Sequence, residues 1–386
     1  MFTASLVCIG NIYYCQPLLS EMGQSLGVSD RAIGYLPMWT QAGTALGMFT
    51  FVPLGDMFPR RRLIVVMSLV SALTVAMMAM APNLAMVNAA GFVTGLAGIV
   101  PHLILPFAAK LAPVERRGQV VGTVLSGLLL GILLARVVSG FVGDMLGWRA
   151  MYWIATAAMI GLALALRYML PYDHPEPGLS YAGLTRSIVH LVRTQTVLRE
   201  AGIIGGLLFG AFSAFWATLV FFLATPPYHY GARVAGLFGL IGATGVLFAP
   251  WAGRLADRKG PAFTVTFAIL TAIAAYAVFN FGGRYLAGLV PGVILLDLGV
   301  QTGHVANQTR IYALIPEARS RLNTVYMVTY FLGGSLGSAL GAWGWSHWQW
   351  SGVCVAGALQ LMIALFVRAW AHTRTGGVDN SLVSPG

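Results

Sequence analysis

Hydrophobic residues dominate this chain in long blocks that polar residues interrupt only briefly. A helix that spans the hydrocarbon core of a bilayer needs about 20 predominantly apolar residues. We number the stretches that meet this requirement as spans one to twelve, at 1–20, 32–55, 63–81, 84–109, 118–143, 149–170, 200–225, 233–255, 261–281, 285–309, 322–343 and 350–371. The pattern predicts an all-α membrane protein with twelve transmembrane helices.

The connection between spans six and seven is longer and more polar than the others. It divides the spans into two groups of six, and the chain is predicted to comprise an N-terminal six-helix bundle at 1–170, a cytoplasmic linker at 171–199, a C-terminal six-helix bundle at 200–372 and a disordered cytoplasmic tail at 373–386. No charged residue or Ala-x-Ala site precedes the polar cluster at 11–16, so we expect no cleaved signal peptide.

Composition supports a membrane protein over a soluble one. Hydrophobic residues make up 58% of the chain and charged residues 9%, against about 25% charged in soluble proteins. The net charge of +11 in so apolar a chain indicates membrane topology rather than binding of nucleic acid. The three cysteines, Cys8, Cys15 and Cys354, show no paired spacing, so we expect no disulfide, metal site or cofactor.

The distribution of basic residues predicts the orientation. Successive connections alternate between the two sides of the membrane, and we call the side of both termini side one and the opposite side side two. Of the 23 Lys and Arg residues, 18 fall on side one and four on side two, while Arg136 lies inside span five. Because cytoplasmic loops are enriched in Lys and Arg, we expect side one to be the cytoplasm of a bacterial-type inner membrane.

The two halves of the chain repeat each other at an offset of 202 residues. This offset places Gly34 on Gly236 and His102 on His304. A duplicated six-helix unit is typical of transporters whose halves rock about a central site. The repeat therefore predicts two pseudosymmetric bundles.

Motifs after spans two and eight resemble those of a known family. The segment Gly253-Arg-Leu-Ala-Asp257-Arg258-Lys-Gly260 resembles the Gly-x-Leu-Ala-Asp-Arg-x-Gly signature of the major facilitator superfamily (MFS), and Asp56-Met-Phe-Pro59-Arg60-Arg61-Arg62 keeps its acid and basic run. The resemblance covers essentially the whole chain and implies a transporter with the MFS fold.

Acids at helix ends beside arginines can pair with neighbouring helix ends when one side of a transporter shuts, and separate when it opens. The candidates for such a cytoplasmic gate are Asp56, Arg60, Arg61, Asp257 and Arg258. Alternatively, the basic run after span two only enforces topology.

Span five is similar to an antiporter motif of the same family. Gly131 and Gly140 lie in register with Gly-x-x-x-Gly-Pro-x-x-Gly-Gly, although Ala135, Arg136 and Ser139 depart from it. The resemblance to the twelve-helix drug-efflux branch implies proton-coupled efflux, by antiport, of a small amphipathic molecule. The span-four arginine of that branch is absent here, and proton-coupled uptake or facilitated diffusion of a small metabolite is the alternative.

Span ten carries a stripe of polar residues. Asp297 lies near its middle, and at 100° per residue Gln301, His304 and Gln308 fall on the same face. Ionisable groups within a span are costly, so each suggests a function. We predict proton coupling by Asp297, and also by His304 and its repeat partner His102; the alternatives are a hydrogen-bonded structural aspartate and packed histidines.

Arg136 lies nearer to side two than Asp297, so a direct ion pair between them is not expected. Four roles are open for Arg136: its side chain snorkels outward, pairs with Asp144, forms part of an outer gate or contacts an anionic substrate. The family resemblance implies a central cavity lined by spans one, four, seven and ten, and the candidate cavity residues are Asn11, Tyr13, Tyr14, Gln16, Phe215, Trp216, Gln301 and Arg136.

The sequence contains little that indicates an enzyme. The chain has no Gly-x-x-x-x-Gly-Lys-Ser phosphate loop and no Cys/His metal spacing, and matched motifs in two halves suit a transporter better than an intramembrane enzyme. We therefore expect no enzymatic activity and no metal. The expected partners are a small-molecule substrate, protons and the lipid bilayer, with the chain acting as a monomer.

Overall fold

The computed structural model describes residues 1–173, 181–247 and 249–375. Within them all regular secondary structure is helical. Eight helices are long and apolar enough to cross a membrane by length and composition. Spans three to seven, nine and ten are the helices Arg60–Met80, Leu84–Leu111, Arg117–Leu146, Trp148–Met169, Thr196–Ala224, Pro261–Gly282 and Leu286–Tyr312.

The eighth long helix, Arg319–Thr375, contains spans eleven and twelve. Its backbone leaves the helical conformation at Trp348 and Gln349, where φ is −133° and 52°. Spans one and two are each built from two shorter helices, Phe2–Tyr13 and Cys15–Leu26 in span one, and Asp30–Gly34 and Leu36–Phe51 in span two. The described residues of span eight are helical over Ala232–Leu247 and Ala249–Lys259. Together these helices make the twelve spans that the sequence predicts.

Shorter helices connect the spans. Leu54–Met57 follows span two, the 3-10 helices Val114–Arg116 and Pro316–Ala318 precede spans five and eleven, and Tyr181–Thr194 lies within the predicted linker. The last helix extends to Thr375, so the start of the predicted tail is helical. The remainder of that tail, 376–386, and residues 174–180 of the linker lie outside the described residues.

The signature after span eight lies in a helix and not in a connecting loop. Residues 253–259 form the last turns of Ala249–Lys259, and Gly260 follows with φ of 85°. Because side chains other than that of glycine are strained at positive φ, this position explains the glycine that ends the signature. The chain turns there directly into span nine.

The two halves pack closely near side two. A Cβ atom placed on Gly140 of span five would lie 3.0 Å from the Cα atom of Gly236 in span eight. Near the side-one end of span five, the equivalent positions on Gly118 and Gly122 have no described atom within 4 Å. This contact closes spans five and eight against each other near side two, whereas Gly118 and Gly122 of span five have no described neighbour within 4 Å near side one.

Buried polar side chains reinforce this closure. Gln41 of span two donates hydrogen bonds from Nε2 to Ser338 Oγ of span eleven at 3.1 Å and to Ser213 Oγ of span seven at 3.3 Å. All three side chains are buried. Nearer to side two, Trp345 Nε1 donates to Asp30 Oδ2 at 3.3 Å. These bonds join the N-terminal half to the C-terminal half.

Candidate functional site

Arg136 is buried in the middle of the molecule, with 3% of its surface exposed. Its Nε donates a hydrogen bond of 2.7 Å to Gln16 Oε1 of span one. The guanidinium carbon lies 4.0 Å from the ring centroid of Trp216, and the rings of Tyr13 and Phe212 lie 5.2 and 5.6 Å away. Aromatic faces attract a cation in this arrangement. Arg136 therefore occupies an aromatic box.

The predictions that Arg136 snorkels outward or pairs with Asp144 are wrong. Span eight packs against the backbone of Arg136, since a Cβ atom on Gly236 would lie 2.5 Å from Arg136 O and one on Gly239 would lie 3.1 Å from Arg136 Cβ. The side chain instead points to the centre of the protein. It belongs to the N-terminal half, yet it contacts Trp216 of the C-terminal half.

Asp297 lies near the six-membered ring of the same tryptophan. A Cβ atom placed on Gly242 would be 3.1 Å from both Asp297 Oδ1 and Trp216 Cζ2. In the described chain no salt bridge joins Asp297 to Arg136, but the two groups are close enough to interact electrostatically. Tyr330 of span eleven is a further titratable group that interacts with Asp297. Spans five, seven, eight, ten and eleven thus meet around this carboxyl group.

The polar stripe of span ten keeps part of its surface exposed. Asp297, Gln301, His304 and Gln308 are all half-buried, whereas the interleaved Val300 is buried. His304 Nδ1 lies 3.1 Å from Tyr326 OH, and Gln308 Nε2 donates to Asn323 Oδ1 at 3.4 Å. All four side chains of the stripe therefore keep part of their surface accessible.

The two candidate histidines approach one aromatic pair from opposite halves. The ring of His304 lies 4.9 Å from that of Tyr330, and the ring of His102 lies 6.3 Å, edge to face, from that of Phe331. Tyr330 and Phe331 also contact each other. The two imidazoles are close enough to interact electrostatically. Their role in proton transfer stays a prediction.

Two predicted cavity residues point elsewhere. Asn11 Nδ2 donates a hydrogen bond of 3.0 Å to Ser71 Oγ of span three. This bond gives the buried hydroxyl group of Ser71 a partner inside the N-terminal half. Phe215 is fully buried and stacks on Phe279 of span nine with ring centroids 4.5 Å apart. Both residues pack within a single bundle in this structure, and their role in the cavity stays a prediction.

Other predicted cavity residues do meet. Gln16 and Tyr13 contact Arg136 directly, and Trp216 contacts it from the opposite half. Tyr14 is half-buried and packs against Gly10 of its own span, where a Cβ atom would lie 2.8 Å from its hydroxyl oxygen. The predicted set therefore separates into a central cluster and residues that pack within one half.

The basic run after span two contacts its own half. Arg60 Nε donates to Gly55 O at 3.0 Å. The backbone N–H of Arg61 donates to Asp173 Oδ1 at 3.5 Å, and its guanidinium group donates to Arg167 O at the end of span six. Arg61 therefore ties the connection between spans two and three to span six.

The remaining gate candidates lie at the side-one surface. Asp257 and Arg258 are exposed at the end of span eight, and the side chain of Asp56 lies outside the described residues. Their gating role stays a prediction.

A buried charge cluster was not anticipated from the sequence. Glu200, at the start of span seven, forms salt bridges of 2.6 Å with Arg310 of span ten and 3.2 Å with Arg368 of span twelve. Both arginines had been assigned only to membrane topology. The signal in the sequence is an acid at a span end, but Arg310 and Arg368 lie 110 and 168 residues further along the chain, so spacing does not reveal them as its partners.

One sequence pattern of hydrolases occurs in the chain without the local structure that it requires. Gly333-Gly-Ser335-Leu-Gly337 matches the Gly-x-Ser-x-Gly pattern of hydrolases, but that pattern requires a sharp turn between a strand and a helix. Here it lies within a continuous helix, and Ser335 Oγ donates to Met38 O at 2.9 Å. In the described chain no group of three or more His, Cys, Asp or Glu residues could hold a metal ion.

Comparisons with known proteins agree with this architecture. The family model described as Major Facilitator Superfamily matches residues 1–303. The uncharacterized transporter YgaY of Escherichia coli O157:H7 is 41% identical over 367 residues, covering 95% of this chain and 93% of its own. The transporter SCO4007 of Streptomyces coelicolor is 37% identical over 356 residues, covering 91% and 82%.

A solved structure shows the same fold. A bacterial homologue of the human lysosomal transporter Spinster, in an inward-facing and occupied conformation, superimposes with a TM-score of 0.80 at 12% identity, covering 100% of this chain and 97% of its own. The prediction of twelve transmembrane helices in two six-helix bundles is thereby confirmed. The chain is a multi-pass membrane transporter and belongs to the major facilitator superfamily.

Proposed function

We propose that this transporter exports a small amphipathic molecule across a bacterial-type inner membrane in exchange for protons, with side one facing the cytoplasm. The observation that carries the proposal is that Arg136 and Asp297 both lie beside Trp216, the arginine over its ring and the acid near its Cζ2 atom. The arginine belongs to one half of the molecule and the acid to the other. Any rocking motion of the halves changes the distance between them.

This distance provides a coupling step. A nearby positive charge favours the ionised form of a carboxyl group, whereas burial without one favours the neutral form. When side two opens, spans five and eight separate at Gly140 and Gly236, and Arg136 moves away from Asp297. When side two is closed, Arg136 is near and Asp297 therefore releases its proton to side one. When side two opens, Asp297 takes up a proton from side two.

Antiport follows when substrate and proton compete for the same carboxylate. Asp297 is half-buried on the polar stripe of span ten, and we expect a substrate entering from side one to reach it. The match of Gly131 and Gly140 to the antiporter motif in span five also favours exchange over uptake. The inward proton gradient then drives the substrate outward.

Inside-out vesicles test this proposal. Their interior is acidified, amino acids, nucleosides, sugars and organic cations are added outside, and decay of the gradient is followed with a pH-sensitive dye. We expect at least one compound to dissipate the gradient with the wild type and none with Asp297→Asn. Asp144→Asn is the matched control, since Asp144 lies at the side-two end of span five, and it should behave as wild type.

Two results would count against the proposal. If no compound dissipates the gradient with the wild type, proton-coupled export is contradicted for these classes. If dissipation persists in Asp297→Asn, proton coupling passes to His102 and His304.

A further inference from the structure

Three buried polar atoms around Trp216 have no hydrogen-bond partner among the described residues. They are Arg136 Nη2, Trp216 Nε1 and Asp297 Oδ2. Arg136 and Trp216 are 3% and 2% exposed. A buried polar atom without a partner is destabilising, and native proteins contain few of them. Three such atoms on residues that cluster around Trp216 indicate a site that a ligand completes.

The chemistry of these atoms defines the ligand. Arg136 Nη2 and Trp216 Nε1 are donors and suit an anionic oxygen group, while Asp297 Oδ2 is an acceptor and suits an ammonium group. We propose that the transported substrate is a small zwitterion, such as an α-amino acid, whose carboxylate binds Arg136 and Trp216 and whose ammonium binds Asp297. This inference rests on the proposed function and names its substrate class.

The surroundings favour an apolar body on this zwitterion. Phe212 packs beside Trp216 with ring centroids 5.9 Å apart, and Phe209 links Phe212 to Tyr330 by stacked contacts of 5.6 and 4.1 Å. Rings of this kind provide apolar and planar contact area. An aliphatic or aromatic side chain therefore suits the site better than a second charged group.

The approach to the site is from span ten. The cavity beside Arg136 and Trp216 measures about 10 Å³, room for about one water molecule. Asp297 and Gln301, in contrast, keep part of their surfaces exposed. The substrate thus meets Asp297 first and reaches Arg136 as the surrounding spans adjust.

A zwitterion also fits exchange with protons. Its ammonium group and a proton compete for the same oxygen atoms of Asp297, so binding one displaces the other. Its carboxylate meanwhile keeps Arg136 paired. An anion without an ammonium group would bind together with the proton, which would produce symport.

Binding to the purified protein in detergent tests this inference without any proton gradient. The probes are L-phenylalanine, L-leucine and L-tryptophan, with the matched pair 3-phenylpropionate, which lacks the ammonium, and phenethylamine, which lacks the carboxylate. Calorimetry should show the wild type binding at least one of the amino acids. For L-phenylalanine, each missing group should weaken binding about 10- to 100-fold.

Two variants test the contact with the ligand's carboxylate and the contact with its ammonium group separately. Arg136→Gln should lose about 10- to 100-fold in affinity for L-phenylalanine and keep its affinity for phenethylamine. Asp297→Asn should lose as much for L-phenylalanine and keep its affinity for 3-phenylpropionate. The retained affinity in each case shows that the variant is folded.

Three outcomes would overturn the inference: no amino acid binds, both analogues bind as tightly as L-phenylalanine, or each variant weakens both analogues equally. The last two outcomes would mean that water molecules alone provide the hydrogen-bond partners of the three buried atoms. If no amino acid binds while another compound dissipates the gradient in vesicles, the substrate class fails and proton-coupled export stands. If amino acids bind but never move protons, export by antiport fails alone.

Discussion

Gly34 and Gly236 make equivalent contacts across the boundary between the two halves. They lie 202 residues apart, and each sits in the second span of its half. A Cβ atom on Gly34 would lie 3.0 Å from Ala342 Cβ of span eleven, and one on Gly236 would lie 3.1 Å from Gly140 Cα of span five. Ala342 follows Gly140 by the same 202 residues. The closure at side two therefore consists of two symmetry-related contacts.

Gly236→Leu should open this closure. The new side chain would overlap the backbone of span five, and overpacking of this kind costs about 1 to 3 kcal/mol, or about a 10-fold shift towards the state with side two open. Spin labels at 145 and 285, both exposed at side two, report the separation of the halves. We expect a longer distance between them and loss of transport.

Gly161→Leu is the control for this prediction, since its Cβ position has no atom within 4 Å. It should leave the distance unchanged. If Gly236→Leu keeps the wild-type distance, spans five and eight do not form the closure.

Gln41→Leu should also favour the open state. It removes the bonds to Ser213 and Ser338 and leaves two buried hydroxyl groups unsatisfied only when side two is closed. The expected cost to the closed state is about 1 to 3 kcal/mol. Modification of a cysteine at position 38 from side two should become faster by about 5-fold or more.

The matched control is Gln360→Leu. Gln360 is also buried, but its Nε2 donates to Ala356 O of its own helix. Its replacement should leave the modification rate at position 38 unchanged. Equal effects of the two variants would show that Gln41 acts on stability and not on the conformational equilibrium.

Glu200→Gln should destabilise the C-terminal half. Removing one partner of a buried ion pair typically costs about 3 to 5 kcal/mol, and here Arg310 and Arg368 would both lose their acid. We expect a clearly lower melting temperature in detergent. Glu115→Gln, at an exposed position, should melt as wild type, and equal melting of both variants would contradict this role for Glu200.

Much of the fold was predictable because the bilayer constrains it. Apolar length alone located twelve spans, and the repeat offset located equivalent residues in both halves. The interruption of span one after Tyr13 and the helical signature before Gly260 were not predicted, since hydropathy averages over such local breaks. The repeat did place Gly34 and Gly236 at equivalent positions of the two halves.

The candidate site was predicted less completely. Asp297 and the polar stripe were found because a charge in a span is rare and costly. The proximity of Arg136 to Asp297 was missed, since depth along straight helices ignores the reach of an arginine side chain. The bonds of Gln41 were missed because uncharged polar residues are common in spans and carry no signal of their partners.

Counterflow tests the central claim, that Asp297 couples substrate movement to protons, most directly. Proteoliposomes loaded with saturating unlabelled substrate are placed in labelled substrate, first without a gradient and then with an imposed proton gradient. Asp297→Asn should retain exchange in the first condition and lose gradient-driven accumulation in the second, while the wild type shows both. Gradient-driven accumulation by Asp297→Asn at the wild-type level would contradict the claim.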